Sequence, residues 1–105
     1  MLEIKRIYLP RREPVSLGSA LLRFLKSNPL MLHQYTLERL TEIWSECNPS
    51  EITSATGSIS LKNHILYISI TDPALRASLT PLRSNIQERL TEELGFVYLS
   101  EVKFV

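Results

Sequence analysis

Cysteine, histidine and glycine are all scarce in this chain, which has one cysteine, two histidines and three glycines among its 105 residues. Cys47 alone cannot close an internal disulfide, so no secreted disulfide framework exists and a reducing compartment is expected. One cysteine and two widely spaced histidines, His33 and His64, do not make a metal cluster. Gly18, Gly57 and Gly95 lie too far apart to build a glycine-rich phosphate loop ahead of a helix. Long apolar runs are missing as well: nothing approaches the roughly 18 residues that a membrane span needs. The opening MLEIKRIYLPRREP lacks the continuous apolar core of a signal peptide. The expectation is a cytoplasmic protein with no cofactor and no membrane partner.

What is present is an ordinary globular composition, 44% hydrophobic and 22% charged, enough for one core without staples. The net charge of +1 hides an uneven distribution. Lys5, Arg6, Arg11, Arg12, Arg23 and Lys26 outweigh Glu3 and Glu13 in the first quarter, and Glu38, Glu42, Glu46 and Glu51 make the next segment acidic. Residues 1–13 read as a basic arm and 14–105 as a single domain. Such an arm is either a polyanion contact or a solvated tail.

Local chemistry orders the remainder. Ser16 is placed to cap a helix through about Lys26, with Leu17, Leu21, Leu22 and Leu25 on one face. Asn28-Pro29 ends it, because the residue before proline is pushed out of the α region. A second helix runs from Leu30 or Met31 to Cys47, with Leu37, Leu40, Trp44 and Cys47 as its apolar stripe and Asn48-Pro49 as its stop. Trp44 and Cys47 read as core. Between Glu51 and Ser60 a strand is predicted, with a bulge or bend at Gly57. Lys62-Asn63 forms a turn, and His64 to Thr71 alternates, with Leu66, Ile68 and Ile70 inward and Ile65, Tyr67, Ser69 and Thr71 outward.

At Thr71-Asp72-Pro73, a capping side chain precedes a proline at the first helical position. The apolar face then runs through Leu75, Leu79, Leu82, Ile86, Leu90 and Leu94, and Pro81 breaks it near Ser78 to Pro81. Gly95 supplies a left-handed cap, and FVYLSEVKFV closes the chain as a strand. In that strand Val97 and Leu99 are out of phase with Val102 and Phe104, which a bulge near Ser100 or two half-buried faces would reconcile.

The order α-α-β-β-α-α-β is that of a two-layer α+β domain, a three-stranded sheet with helices on one face. Helix, hairpin, helix pair and closing strand is also the order of the type II KH-like fold. No nucleophile elbow, paired acid and base, or ligand cluster appears, so binding rather than catalysis is expected. Arg76 and Arg83 stand seven residues apart across the proline break. With Lys62, Arg11 and Arg12 they either line a phosphate-facing surface, or pair with Asp72 and nearby glutamates. Tyr67, on the open sheet face, either stacks on a base or covers apolar surface. The GXXG clamp of KH domains is missing: Ser78-Leu79-Thr80-Pro81-Leu82 stands in its place.

Several segments together resemble the DciA family: PVSLGSALLRFL, Leu40-x-x-x-Trp44, ISLKNHILYISITDPALRASL, PLRSNIQERLTEELG and a terminal VKF. The resemblance runs over nearly the whole chain from Glu13 onward, and Asn48-Pro49-Ser50 stands where members often carry a glycine. It implies a recruiter or loader of the bacterial replicative DNA helicase with affinity for DNA, single-stranded or double-stranded. The alternative is a protein-interaction module whose sheet face or edge strand meets a partner or a second copy as a homodimer.

Overall fold

Every helix in the second half of the protein begins or breaks at a proline, and the strands fill what lies between. The computed structural model describes residues 19–105. The arm 1–13 with Arg11 and Arg12, the Ser16 cap and Leu17 lie outside the described residues. Helix α1 is Ser19–Lys26 and α2 is Pro29–Cys47, with Pro29 in its first turn. A short helix α3, Ser50–Ser54, leads into strands β1, Thr56–Lys62, and β2, Ile65–Ile70. Helix α4, Pro73–Leu79, passes through a 3₁₀ turn, Thr80–Leu82, into α5, Arg83–Leu94, and β3 is Glu101–Phe104.

The result is the α+β class with a three-stranded sheet in the order β1-β2-β3. β1 pairs antiparallel with β2, and β3 pairs parallel to β2 on its other side. A parallel pair cannot be joined by a tight turn, and the α4–α5 pair is the crossover that joins this one. The core is Leu40, Ile43 and Trp44 of α2 against Leu66, Ile68 and Ile70 of β2, closed by Leu90 of α5 and Val102 of β3. Complete burial of a side chain such as Leu66 or Ile68 stabilises the fold by about 1.5–3 kcal/mol. Among the described residues, no helix is long and apolar enough to cross a membrane.

Several local expectations hold. Asp72 Oδ1 accepts hydrogen bonds from the backbone N–H groups of Ala74 (3.0 Å) and Leu75 (3.4 Å), and Pro73 follows it at the first helical position. Gly95 takes the left-handed conformation, φ 93°, that ends α5. The β1–β2 register shifts between Thr56 and Ile59, around Gly57.

Four features depart from the sequence reading. The first half of Glu51–Ser60 is helical rather than extended. Thr53 Oγ1 donates to the Ser50 carbonyl and Ser54 Oγ to the Glu51 carbonyl, local bonds that compete with a ladder. The hairpin turn is Asn63-His64, both with positive φ (53° and 65°), one residue later than expected and of the mirror-image kind that suits strand twist. Residues 96–100 are not strand, because β3 begins where Glu101 meets Ile65, the first residue of β2, and nothing remains beyond to pair with. That segment bonds the turn instead: Ser100 N–H donates to the His64 carbonyl (2.8 Å), and Val97 stands 84% exposed. Leu82 leaves the apolar face at the proline break and is half exposed.

Two hydroxyls make opposite predictions. The Trp44 indole N–H donates to Thr56 Oγ1 (2.9 Å), which donates in turn to the Ile52 carbonyl (2.9 Å), tying α2, β1 and α3 together. Thr36 Oγ1 is buried with no hydrogen-bond partner among the described residues. Thr56→Val strands the indole donor and should destabilise by about 1–3 kcal/mol. Thr36→Val removes an unsatisfied hydroxyl at constant shape and should stabilise by about 1 kcal/mol. Urea unfolding followed by Trp44 fluorescence measures both.

Candidate nucleic-acid interface

Among the described residues, the basic side chains singled out in the sequence, Lys62, Arg76 and Arg83, do not gather at one point. Lys62 ends β1 and is exposed beside the hairpin turn, opposite Ile65. Arg76 is half-buried on α4, where its Nη1 donates to the Ile70 carbonyl (3.0 Å) at the far end of β2. From Ile65 to Ile70 is five residue steps, roughly 17 Å of extended strand. Lys62 and Arg76 therefore mark opposite ends of the sheet. Arg83 is exposed at the start of α5, the stretch of that helix that faces the end of α2.

Arg76 is a structural donor as well as a cation. Asp72 does not pair with it: the guanidinium is turned to the Ile70 carbonyl, while Asp72 Oδ1 caps α4. Among the described residues, ion pairs form instead between Arg39 and Glu42 (3.0 Å) and between Arg89 and Glu93 (3.7 Å). Both lie at the surface, where such pairs contribute little to stability.

The register of the sheet brings together residues that the sequence kept apart. Directly paired residues share a face, so Ser60, Tyr67 and Lys103 form one row across the three strands, and Lys62, Ile65 and Glu101 form the next. Both rows point away from the core, since the alternate residues Leu61, Leu66 and Val102 are buried. Tyr67 and Lys103 are half-buried and Lys62 is exposed. Sequence reasoning missed Lys103. The alternation of Val102-Lys103-Phe104 would have supplied its direction had the phase of the last strand been legible.

Between the end of α2 and the start of α5 lies a cleft of about 280 Å³, walled by Trp44, Leu82, Ile86 and Leu90, with Cys47 and Arg89 beside them. Among the described residues, no three His, Cys, Asp or Glu side chains converge to hold a metal ion. His64 is engaged in the turn: its Nδ1–H donates to the Tyr98 carbonyl (2.9 Å), and its ring lies 4.5 Å from that of Tyr98. Burial pushes the Cys47 thiol pKa up, with the Arg89 guanidinium opposing and Glu93 and Glu46 reinforcing the rise. A raised pKa means less thiolate at a given pH, and the thiolate is the nucleophile. Cys47 should therefore react with iodoacetamide more slowly than an unhindered thiol at neutral pH. Arg89→Gln, which removes the cation favouring the thiolate, should slow it further; mass spectrometry of timed aliquots reads both rates.

Comparison with known proteins gives one family match. The family model described as Dna[CI] antecedent, DciA, matches residues 16–104. No curated protein and no solved structure matches the chain significantly.

Proposed function

The chain belongs to the DciA family, and on that premise we propose that it is a non-catalytic adaptor of bacterial DNA replication that recruits or loads the replicative helicase and binds DNA through basic residues. Membership implies the helicase-loader-like role, and the match over residues 16–104 is the single observation that carries the reading. We take Lys62, Arg76, Arg83, Arg11 and Arg12 as the candidate DNA contacts. We read the order of helix, hairpin, helix pair and strand as type II KH-like, working without a GXXG clamp. Ser78 to Leu82, where that loop would stand, is the end of α4 and the 3₁₀ turn.

A second reading, a protein-interaction module that leaves DNA alone, draws on a specific feature. Leu21 and Phe24 of α1 and Leu30 and Met31 of α2 are all exposed, at the end of the helical layer where the two helices join. Apolar side chains grouped at a surface mark contact sites for other proteins. In the adaptor reading they meet the helicase; in the alternative they meet another protein or a second copy of this chain.

Fluorescence anisotropy with labelled oligonucleotides separates the two. The adaptor reading expects binding that weakens on the order of tenfold between 50 and 200 mM salt, as release of counterions from two or three phosphates requires. An absence of binding at low salt removes the DNA half. Retention of the replicative helicase by the immobilised protein, lost in Phe24→Ser, tests the other half. A dimer by light scattering that also loses its partner contact in Phe24→Ser would favour a second copy as the occupant.

A further inference from the structure

We infer that the open face of the sheet, with Tyr67 between Lys62 and Lys103, is the surface that holds the nucleic acid, and that it takes a single strand rather than a duplex. The inference rests on the DNA-binding half of the proposed function and names its surface and its ligand.

The first argument is electrostatic. The helical side of the protein presents Glu38, Glu42 and Glu46, one turn apart along α2, and Glu88, Glu92 and Glu93 on α5, all exposed. Two cations beside them, Arg39 and Arg89, are paired with glutamates. A polyanion brought to those glutamates meets like charge. The exposed cations of the helical layer, Arg23 and Lys26 on α1 and Arg83 at the start of α5, stand apart from the Glu38-Glu42-Glu46 row. The sheet face carries the opposite bias: Lys62 and Lys103 stand two strands and two residues apart, roughly 12 Å between backbones from the spacings of a pleated sheet.

The second argument is chemical. Tyr67 is the middle residue of its row, with Ser60 on one side and Lys103 on the other, and Ile65 and Ser69 share its face along β2. A half-buried aromatic ring set between two ammonium groups on the outer face of the sheet resembles the stacking platform and electrostatic groove that bind single strands without sequence preference. Every base has a face to stack, but only an unpaired base can bring that face to the ring; in a duplex the bases are stacked on one another inside the helix. Glu101, opposite Ile65 in the neighbouring row, is the anionic residue of these rows among the described residues. It opposes a phosphate near the start of β3 and favours a strand path from Lys62 across Tyr67 to Lys103.

The test is anisotropy with a labelled oligothymidylate and a matched hairpin duplex, using the whole chain at low salt. The wild-type protein should bind the single strand more tightly than the duplex. Tyr67→Ala should weaken single-strand binding by about 5- to 100-fold, Tyr67→Phe should keep it within about twofold because the ring is retained, and Lys103→Gln should lower both the affinity and its salt slope. Glu101→Gln should tighten binding, and Glu88→Gln on the helical side should leave it unchanged. Because Tyr67→Ala can affect folding, Lys103→Gln and Glu101→Gln carry the test alone if its circular dichroism spectrum is altered. Wild-type binding that is indifferent to Lys103, Glu101 and the Tyr67 ring overturns the sheet face while leaving DNA binding intact. Duplex bound as tightly as single strand overturns the choice of ligand. No binding by the wild-type protein to either oligonucleotide removes the DNA-binding reading and this inference together.

Discussion

Strand β2 is the constraint on which the rest of the protein depends. It is paired on both edges, antiparallel to β1 and parallel to β3, and its alternation divides the molecule. Leu66, Ile68 and Ile70 are completely buried beneath α2 and α5, while Ile65, Tyr67 and Ser69 face outward. A slip of one residue would exchange the two faces of the strand, placing Tyr67 in the core and Leu66, Ile68 and Ile70 outside it. The same strand dictates the connection that follows it. A third strand parallel to β2 requires a crossover, and the crossover must return along the sheet, which is what α4, the 3₁₀ turn and α5 do.

Polar contacts fix the ends of that arrangement. At one end of β2 the Arg76 guanidinium and the carbonyls of Val105 and Ala55 attend the terminus of the strand: Arg76 donates to the Ile70 carbonyl, Ile70 N–H donates to the Val105 carbonyl, and Thr71 N–H donates to the Ala55 carbonyl. At the other end the Asn63-His64 turn is held by Tyr98 and Ser100 from the segment before β3. Arg76 thus has a structural partner, so any contact it makes with phosphate must share or release the bond to Ile70. Among the described residues, Lys62 and Lys103 make no such bond to backbone, which distinguishes them from a cation that caps a strand.

Much of the fold was legible because its signals are local. Asn-Pro pairs stop helices whatever surrounds them, Asp72-Pro73 caps and starts one, Gly95 ends one, and strict alternation from Ile65 to Ile70 assigns inside and outside. The misread segments are those whose conformation depends on a remote partner. Residues 96–100 have the composition of a strand, yet they pass a turn rather than a strand, and no composition can supply a missing ladder. Residues 50–54 have β-branched and small side chains, yet their hydroxyls close a single helical turn. Of the candidate interface, Tyr67 could be placed on the outer face from the alternation of β2 alone. Lys62, read as a turn residue, took its place in the sheet only with the turn at Asn63-His64. Lys103 could not be placed, because the phase of the last strand was ambiguous.

The sequence by itself determined the family and the α+β class. It also fixed the proline stops, the Asp72 and Gly95 caps and the inner face of the central strand, because these rest on bonds or steric limits within a few residues. Only the tertiary structure decided that Lys103 stands beside Tyr67, that Lys62 and Arg76 lie at opposite ends of the sheet, and that the glutamates of α2 and α5 share the side away from it. These are facts of register and packing between segments tens of residues apart. The free energy that selects them comes from burying Leu66, Ile68 and Trp44 together, not from any preference of the residues that the register then brings side by side.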